Sequence, residues 1–303
     1  MFEYHADGLC LSCDAIMLGR IHDLMKATCP DVLLLADSAL ADVRHLSSLF
    51  IPQYRQWTEN VLCCFACEAD LRRGRLDDLF DKDGLESFSH QLLSLSCKDL
   101  SCGGSSLLDR MSGDYWQKFA SIRALLGYML TVPGKKRIFM GCEIGEFRAW
   151  NEGERMEWFL LDHDAHARLQ LFFAQMNWFY LTQPALWNDG AESFQNLSEN
   201  RGKSVLCYRR VSRDGEMQLT VVKLTPAVHH EYEIGVPEGG EYEELINSDH
   251  LSFGGSGVIN ASPIFTESKR FGRFDHTLRI TVPPLAVCVF RCRKRNAPED
   301  TIS

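Results

Sequence analysis

Cysteines are the first residues of this chain whose type and spacing could do chemistry. Two Cys-x-x-Cys pairs occur, Cys10/Cys13 and Cys64/Cys67, with Cys97 and Cys102 beyond them. Four thiolates from two such pairs could hold a zinc ion tetrahedrally. Cys10 and Cys13, however, lie inside the apolar, strand-like run GLCLSCDAIM. Buried free thiols are the competing reading of the same residues, and no metal ligand is assigned. The second chemical feature is the stretch SLSCKDLSCGGSSLLDRMSGDYWQKFA, residues 94–120. Its latter half is a turn followed by a helix. Its first half sets Lys98 beside Cys97 and ahead of Cys102, where a strand should end.

The elements that must position such residues follow from periodicity. LCLSC (9–13), VLLLA (32–36), VLCCFA (61–66), QLLSLS (91–96) and RIFMG (137–141) are short apolar runs of strand length. Between them lie helical patterns, AIMLGRIHDLMKA after residue 14, 114–130 and 165–181. In 114–130 apolar residues recur at 115, 116, 119, 122, 125, 126 and 129, and Ser112 stands where a cap is expected. Strands alternating with helices imply a parallel sheet. From Ser204 onward the pattern changes to short alternating strands separated by turn signals such as Arg213-Asp214-Gly215, which predicts an antiparallel β-sandwich. The polar stretch 188–203 marks the boundary. The predicted domains are 1–190, 191–295 and a tail over 296–303.

Composition narrows the function classes. The 303 residues are 45% hydrophobic, enough for a sizeable core. Asp plus Glu number 41 against 32 Lys plus Arg, a net charge of -9. That balance repels phosphate backbones and anionic lipid, so nucleic acid and membrane surfaces are not expected partners. The apolar runs fall short of the roughly 18 residues a bilayer-spanning helix needs. MFEYHADG lacks the basic-then-apolar pattern of a signal peptide, and a cytoplasmic protein is expected.

Several long segments resemble the C-terminal half of bacterial 1,4-α-glucan (glycogen) branching enzymes, of the α-amylase family. YHADGL (4–9) is similar to the opening of the family's fourth barrel strand. SLLDRMSGDYWQKFASIRALLGYMLTVPGKKRIFMGCE (106–143), WNEGERMEWFLLDH (150–163) and PALW (184–187) follow in the family's order. INSD (246–249), FGGSG (253–257) and VPPLA (282–286) resemble its terminal sandwich. The resemblance implies an incomplete (β/α)8 TIM barrel, equivalent to strands 4–8, followed by a C-terminal antiparallel β-sandwich. It implies α-glucan or glycogen as ligand and no cofactor. With the earlier strands missing, the barrel edge would be open. The expected outcome is instability alone, or pairing with an intact branching enzyme or a missing barrel half.

The family's transfer of α-1,4 segments to α-1,6 branch points proceeds with retention, through two carboxylates about 5–5.5 Å apart. Matched without a gap, the nucleophile position holds Ser12, and Cys10 replaces the arginine that orients it. Inserting two residues would instead give the role to Asp14. Side chains alternate along a strand, so 12 and 14 face the same side. Asp37 falls at the acid/base position, one methylene shorter than the family's glutamate; a helix cap is the other reading of this aspartate. Lys98 replaces the third carboxylate, and a cation there opposes an oxocarbenium-like transition state. The resemblance therefore implies a catalytically inactive relative. Glu143 and Trp150 are candidate substrate-binding residues of the remnant cleft. Trp158, Phe147 and Trp187 are further aromatics for sugar stacking, with core or interface packing the favoured expectation for all four aromatics.

Overall fold

The computed structural model describes residues 15–31, 34–36, 51–79, 91–95, 105–151 and 153–294. The chain begins with helix α1 (Ala15–Thr28), strand β1 (Leu35–Ala36) and strand β2 (Ile51–Pro52). Helix α2 (Arg55–Ala66) leads through two 3-10 turns, 71–74 and 76–79, toward strand β3 (Leu92–Leu95). A one-turn helix (Leu107–Arg110) precedes helix α3 (Tyr115–Thr131), strand β4 (Lys135–Ile138) and helix α4 (Asp164–Thr182).

These strands are parallel neighbours in chain order. Leu35 pairs with Ile51, Gln53 bridges to Leu92, and Leu92 to Leu95 run beside Lys135 to Ile138. Parallel pairing needs a long crossover between partners, which α2 and α3 supply. Leu92, Leu93, Ser94 and Leu95 are all buried, as expected of a strand covered on both faces.

Two sequence predictions here require correction. VLCCFA is not a strand: it is the second half of α2, whose buried residues Trp57, Thr58, Val61, Leu62 and Phe65 recur with helical spacing. The apolar run is one helix face seen without its upstream half. The strand predicted at RIFMG starts two residues earlier, at Lys135, and ends at Ile138. Gly141, with φ of 92°, then turns the chain.

Helix α3 is the centre of the molecule. Every residue from Phe119 to Thr131 is buried, so the helix is covered all round rather than on one stripe. Its start is fixed by Asp114, not by the predicted Ser112. The Asp114 carboxylate accepts from Gln117 N at 2.8 Å, while the Gln117 side chain accepts from Asp114 N at 3.1 Å. This reciprocal pair satisfies two otherwise orphaned donors. Ser112 is used elsewhere, its hydroxyl donating to Cys67 O at 2.8 Å.

The remaining strands are β5 (Phe194–Asn200), β6 (Val205–Val211), β7 (Met217–Lys223), β8 (His229–Val236), β9 (Gly240–Asn247), β10 (Ile264–Phe265), β11 (His276–Val282) and β12 (Val287–Lys294). Six form one sheet in the order β10-β9-β12-β7-β6-β5, while β11 pairs with β8. All these pairings are antiparallel. The strand over 194–200 falls in the polar stretch read as a boundary; it is an edge strand paired only with β6, where polar residues are tolerated.

Alternation along the strands divides the apolar residues between two cores. Val205, Cys207, Leu219, Val221 and Phe290 face β8 and β11 in the inner core of the sandwich. Leu206, Tyr208, Val222, Val287 and Val289 point the other way and join the helices in a second core. The approach is close. A Cβ built on Gly127 of α3 would stand 3.0 Å from Val287 Cβ, so any larger side chain would push helix and sheet apart.

Candidate cleft beyond β4 and buried arginine staples

In parallel α/β sheets, functional clefts form beyond the carboxyl ends of the strands. Beyond β4, Phe139 N continues the ladder to Leu95 O at 3.0 Å. The chain then turns at Gly141, where an added Cβ would lie 2.6 Å from Glu146 Oε2. Absence of a side chain there lets the Glu146 carboxylate fold back over the strand end. Its Oε1 accepts from Glu157 N at 2.9 Å. Arg148 closes the loop through Glu154 Oε2 at 2.7 Å and Glu157 Oε1 at 2.6 Å. The Glu157 carboxylate, first, holds the Arg148 pKa above its ordinary value. These acids are therefore committed to shaping the loop.

Ser106, Leu108, Phe139, Gly141, Glu146 and Trp150 line the resulting cleft. The free space among them is about 30 Å³, room for a water molecule and not for a sugar ring. Glu143 is half-buried on the same turn. Trp150 is also half-buried, its ring edge-on to Phe139 with centroids 5.4 Å apart. Of the two candidates, Trp150 lines the cleft and Glu143 does not. Ser12, Asp14, Asp37 and Lys98 lie outside the described residues, as do Cys10, Cys13, Cys97 and Cys102.

The packing expected of the other aromatics is not what the structure has. Trp158 is 56% exposed, Trp187 50% and Phe147 38%. Trp158 opens a 3-10 turn whose buried member is Leu160. Trp187 closes a turn anchored by Ala185 and Leu186. In each case a neighbour takes the core position and the large ring is left outside. Phe147 stacks on Tyr115 at 6.3 Å and meets the buried His166 edge-on at 5.6 Å. His166 Nδ1 donates to Ile144 O at 2.7 Å, and burial lowers its pKa.

Of the Cys64/Cys67 pair, Cys64 is fully buried in α2 and burial pushes its thiol up to about 12. Cys67 donates its S–H to Cys64 O at 3.1 Å. Among the described residues, histidine, cysteine and acidic side chains do not gather into a metal-holding group.

Sequence reasoning missed the buried arginines that join the layers. Arg72 donates to Phe65 O, Cys67 O, Leu224 O, Ser112 Oγ and Ser121 Oγ, tying α2 and α3 to the end of β7. Arg123 of α3 reaches Ser248 O at 2.9 Å and Gly254 O at 3.3 Å. Arg210 of β6 donates to Thr131 O, Leu186 O and Asn188 O. Burial lowers the pKa of Arg123 and of Arg210 to about 10, and both remain charged. Each planar fork reaches two or three carbonyls. The available signal was Arg123 itself, set in the apolar sequence SIRALL.

Comparison with known proteins fits this architecture. Residues 197–293 match the family model described as "Alpha amylase, C-terminal all-beta domain". A 1,4-alpha-glucan branching enzyme of Halothermothrix orenii is 41% identical over 204 residues, 66% of this chain and 32% of that protein. One from Synechocystis sp. is 36% identical over 250 residues, 81% of this chain and 32% of that protein. The chain spans about a third of the length of these curated relatives. Among solved structures, a cyclomaltodextrinase superposes with a TM-score of 0.63 at 16% identity, covering 91% of this chain and 43% of that one. The debranching enzyme of Nostoc punctiforme gives 0.62 at 15% identity, over 90% and 55%. At such identities the structural likeness speaks for the fold alone. Over the matched span, the chain is a homologue of the 1,4-alpha-glucan branching enzymes and carries the C-terminal all-β domain of the α-amylase family.

Proposed function

We propose that this chain is a non-catalytic branching-enzyme relative that retains an α-glucan-facing surface. In this reading β1 to β4 are successive strands of a (β/α)8-type sheet, and the antiparallel sandwich is its terminal domain. What supports it is the ungapped match to the family resemblance, which sets Ser12, Asp37 and Lys98 where three catalytic carboxylates are expected. Retaining transfer needs a carboxylate nucleophile and a carboxyl acid/base at about 5–5.5 Å. A serine and an ammonium in place of carboxylates supply neither that ester chemistry nor negative charge at the anomeric carbon.

Two features of the described residues support the reading. Within the described residues the cleft beyond β4 is small, with about 30 Å³ of free space. Trp158 and Trp187 instead stand half-exposed on the surface, where flat aromatic faces can stack on a polysaccharide. A partner chain such as an intact branching enzyme is compatible with this surface role.

The test is direct. Purified chain is incubated with amylose, and iodine staining together with isoamylase-released chains is followed. No new branches are expected; branch formation would refute the non-catalytic reading and revive Asp14 with Asp37 as the working pair. Glycogen co-sedimentation tests the binding half. Retention is expected and is lost in a W158A/W187A double variant; a wild-type chain left wholly in the supernatant refutes it.

A further inference from the structure

Lys223 closes β7 at the rim of the sandwich, and it is fully buried. Its ammonium donates to Lys203 O and lies 2.9 Å from His229 Nε2. With Lys223 as donor, His229 accepts at Nε2 and is the neutral tautomer. Lys203 is exposed, and its Nζ sits 5.2 Å from the centroid of the Tyr232 ring, above its face. The Tyr232 ring in turn stacks with His229 at 6.2 Å. Arg73, exposed on the 3-10 turn at 71–74, comes from the helical layer toward the same place, since its neighbour Arg72 donates to the carbonyl of Leu224, next to Lys223. Burial first, then the charges of Arg73 and Lys203, bring the Lys223 pKa down to about 8. Burial and then the charges of Lys223, Lys203 and Arg73 lower that of His229 as well.

Buried or half-buried cations bonded to carbonyls recur in the fold, as at Arg72 and Lys136; this cluster differs in gathering two exposed cations beside a buried one. Other cations grouped at the surface are answered by acids, as where Arg279 and Lys269 share Glu233. Here, among the described residues, no carboxylate forms an ion pair with Arg73, Lys203 or Lys223. That is notable in a chain whose acids outnumber its bases by 41 to 32. A buried ammonium with only a carbonyl and an imidazole as partners leaves its charge uncompensated, which is costly. The cluster also opens to solvent on one side through Arg73 and Lys203. An anion settling there would meet the Arg73 guanidinium and the Lys203 ammonium, with the buried charge of Lys223 beneath them.

We propose that Arg73, Lys203 and Lys223 form a binding site for a phosphate-type dianion, supplied either as inorganic phosphate or as the phosphomonoester of a sugar phosphate. Three cations exceed what a single carboxylate would neutralise. Three acceptor oxygens match a guanidinium pair plus separate ammonium donors. His229 is a positioning residue: it accepts from Lys223 and fixes where that ammonium points. The site lies on the rim of the sandwich and does not depend on the catalytic reading above.

The experiment measures binding to the full chain at pH 7.0 by calorimetry and by thermal unfolding. Potassium phosphate, glucose 6-phosphate and potassium chloride are compared at equal ionic strength. A saturable shift with phosphate or glucose 6-phosphate, absent in chloride, is expected. Affinity at least tenfold higher for glucose 6-phosphate assigns a sugar phosphate; equal affinity assigns the free ion. R73Q and K203Q, both at exposed positions, are expected to weaken binding about 10-fold each, since each removes a charge-assisted contact. A chloride-like response from every ligand overturns the proposal. So does unchanged phosphate affinity in the R73Q/K203Q double variant, which keeps the test decisive even where a Lys223 variant fails to fold.

Discussion

Replacing Arg72 by methionine should separate the layers of the molecule. The guanidinium makes five hydrogen bonds, to the Phe65, Cys67 and Leu224 carbonyls and to the Ser112 and Ser121 hydroxyls. In R72M the Cys67 carbonyl keeps the Ser112 hydroxyl as donor, and the two serines can rotate. The Phe65 and Leu224 carbonyls lose the donor that Arg72 supplies to each. An orphaned buried acceptor costs about 1–3 kcal/mol, so the pair amounts to roughly 4 kcal/mol. Relief from burying a cation without a carboxylate offsets part of this, leaving a net loss of about 3 kcal/mol. At the ~2–4 °C per kcal/mol typical of larger domains, the melting temperature should fall by about 6–12 °C. Thermal unfolding followed by circular dichroism measures it. R72K, which offers a single compact ammonium in place of the fork, should recover less than half the loss. Melting of R72M within about 1 °C of the unaltered chain would refute the staple argument, as would full rescue by lysine.

Two further outcomes are expected. D114A removes the acceptor for Gln117 N and with it the capping box of α3; urea unfolding should show about 1 kcal/mol lost, and D114S should restore most of it. Lys223 has a folded pKa of about 8 against about 10.4 for an unfolded lysine. Between those values the unfolded chain binds more protons, so this residue makes stability rise with pH from about 8 to about 10. K223M should flatten that rise in urea titrations at pH 7.5 and 9.5, and an unchanged slope would contradict the assignment.

Much of the fold was legible because it rests on local periodicity. The helix over 115–131 and most of the later strands fall where apolar spacing puts them, and 92–95 is a strand as its run implies. Failures share one cause: a short apolar run carries no direction. VLCCFA reads as a strand until Trp57 and Thr58 upstream reveal the helical face. Capping went astray for a related reason. The sequence puts the cap at Ser112, but Asp114 takes that role, and Arg72, 40 residues away in sequence, recruits Ser112. Long-range hydrogen bonds of that kind leave no spacing to read. The candidate site was legible only in part. Of the residues the resemblance offered, Trp150 lines the cleft beyond β4 and Glu143 does not, whereas the exposure of Trp158 and Trp187 depends on which neighbour wins the core.

The six-stranded sheet is a party wall. Leu206 and Tyr208 lie on one side of it, Val205 and Cys207 on the other, so a single ladder of backbone bonds serves both rooms. Displacing one strand would breach the two at once, and a protease admitted by such an opening would find helices and sandwich equally unprotected. Tolerance for insertion should accordingly concentrate at the hairpin tips away from the wall, as at Arg213 to Gly215.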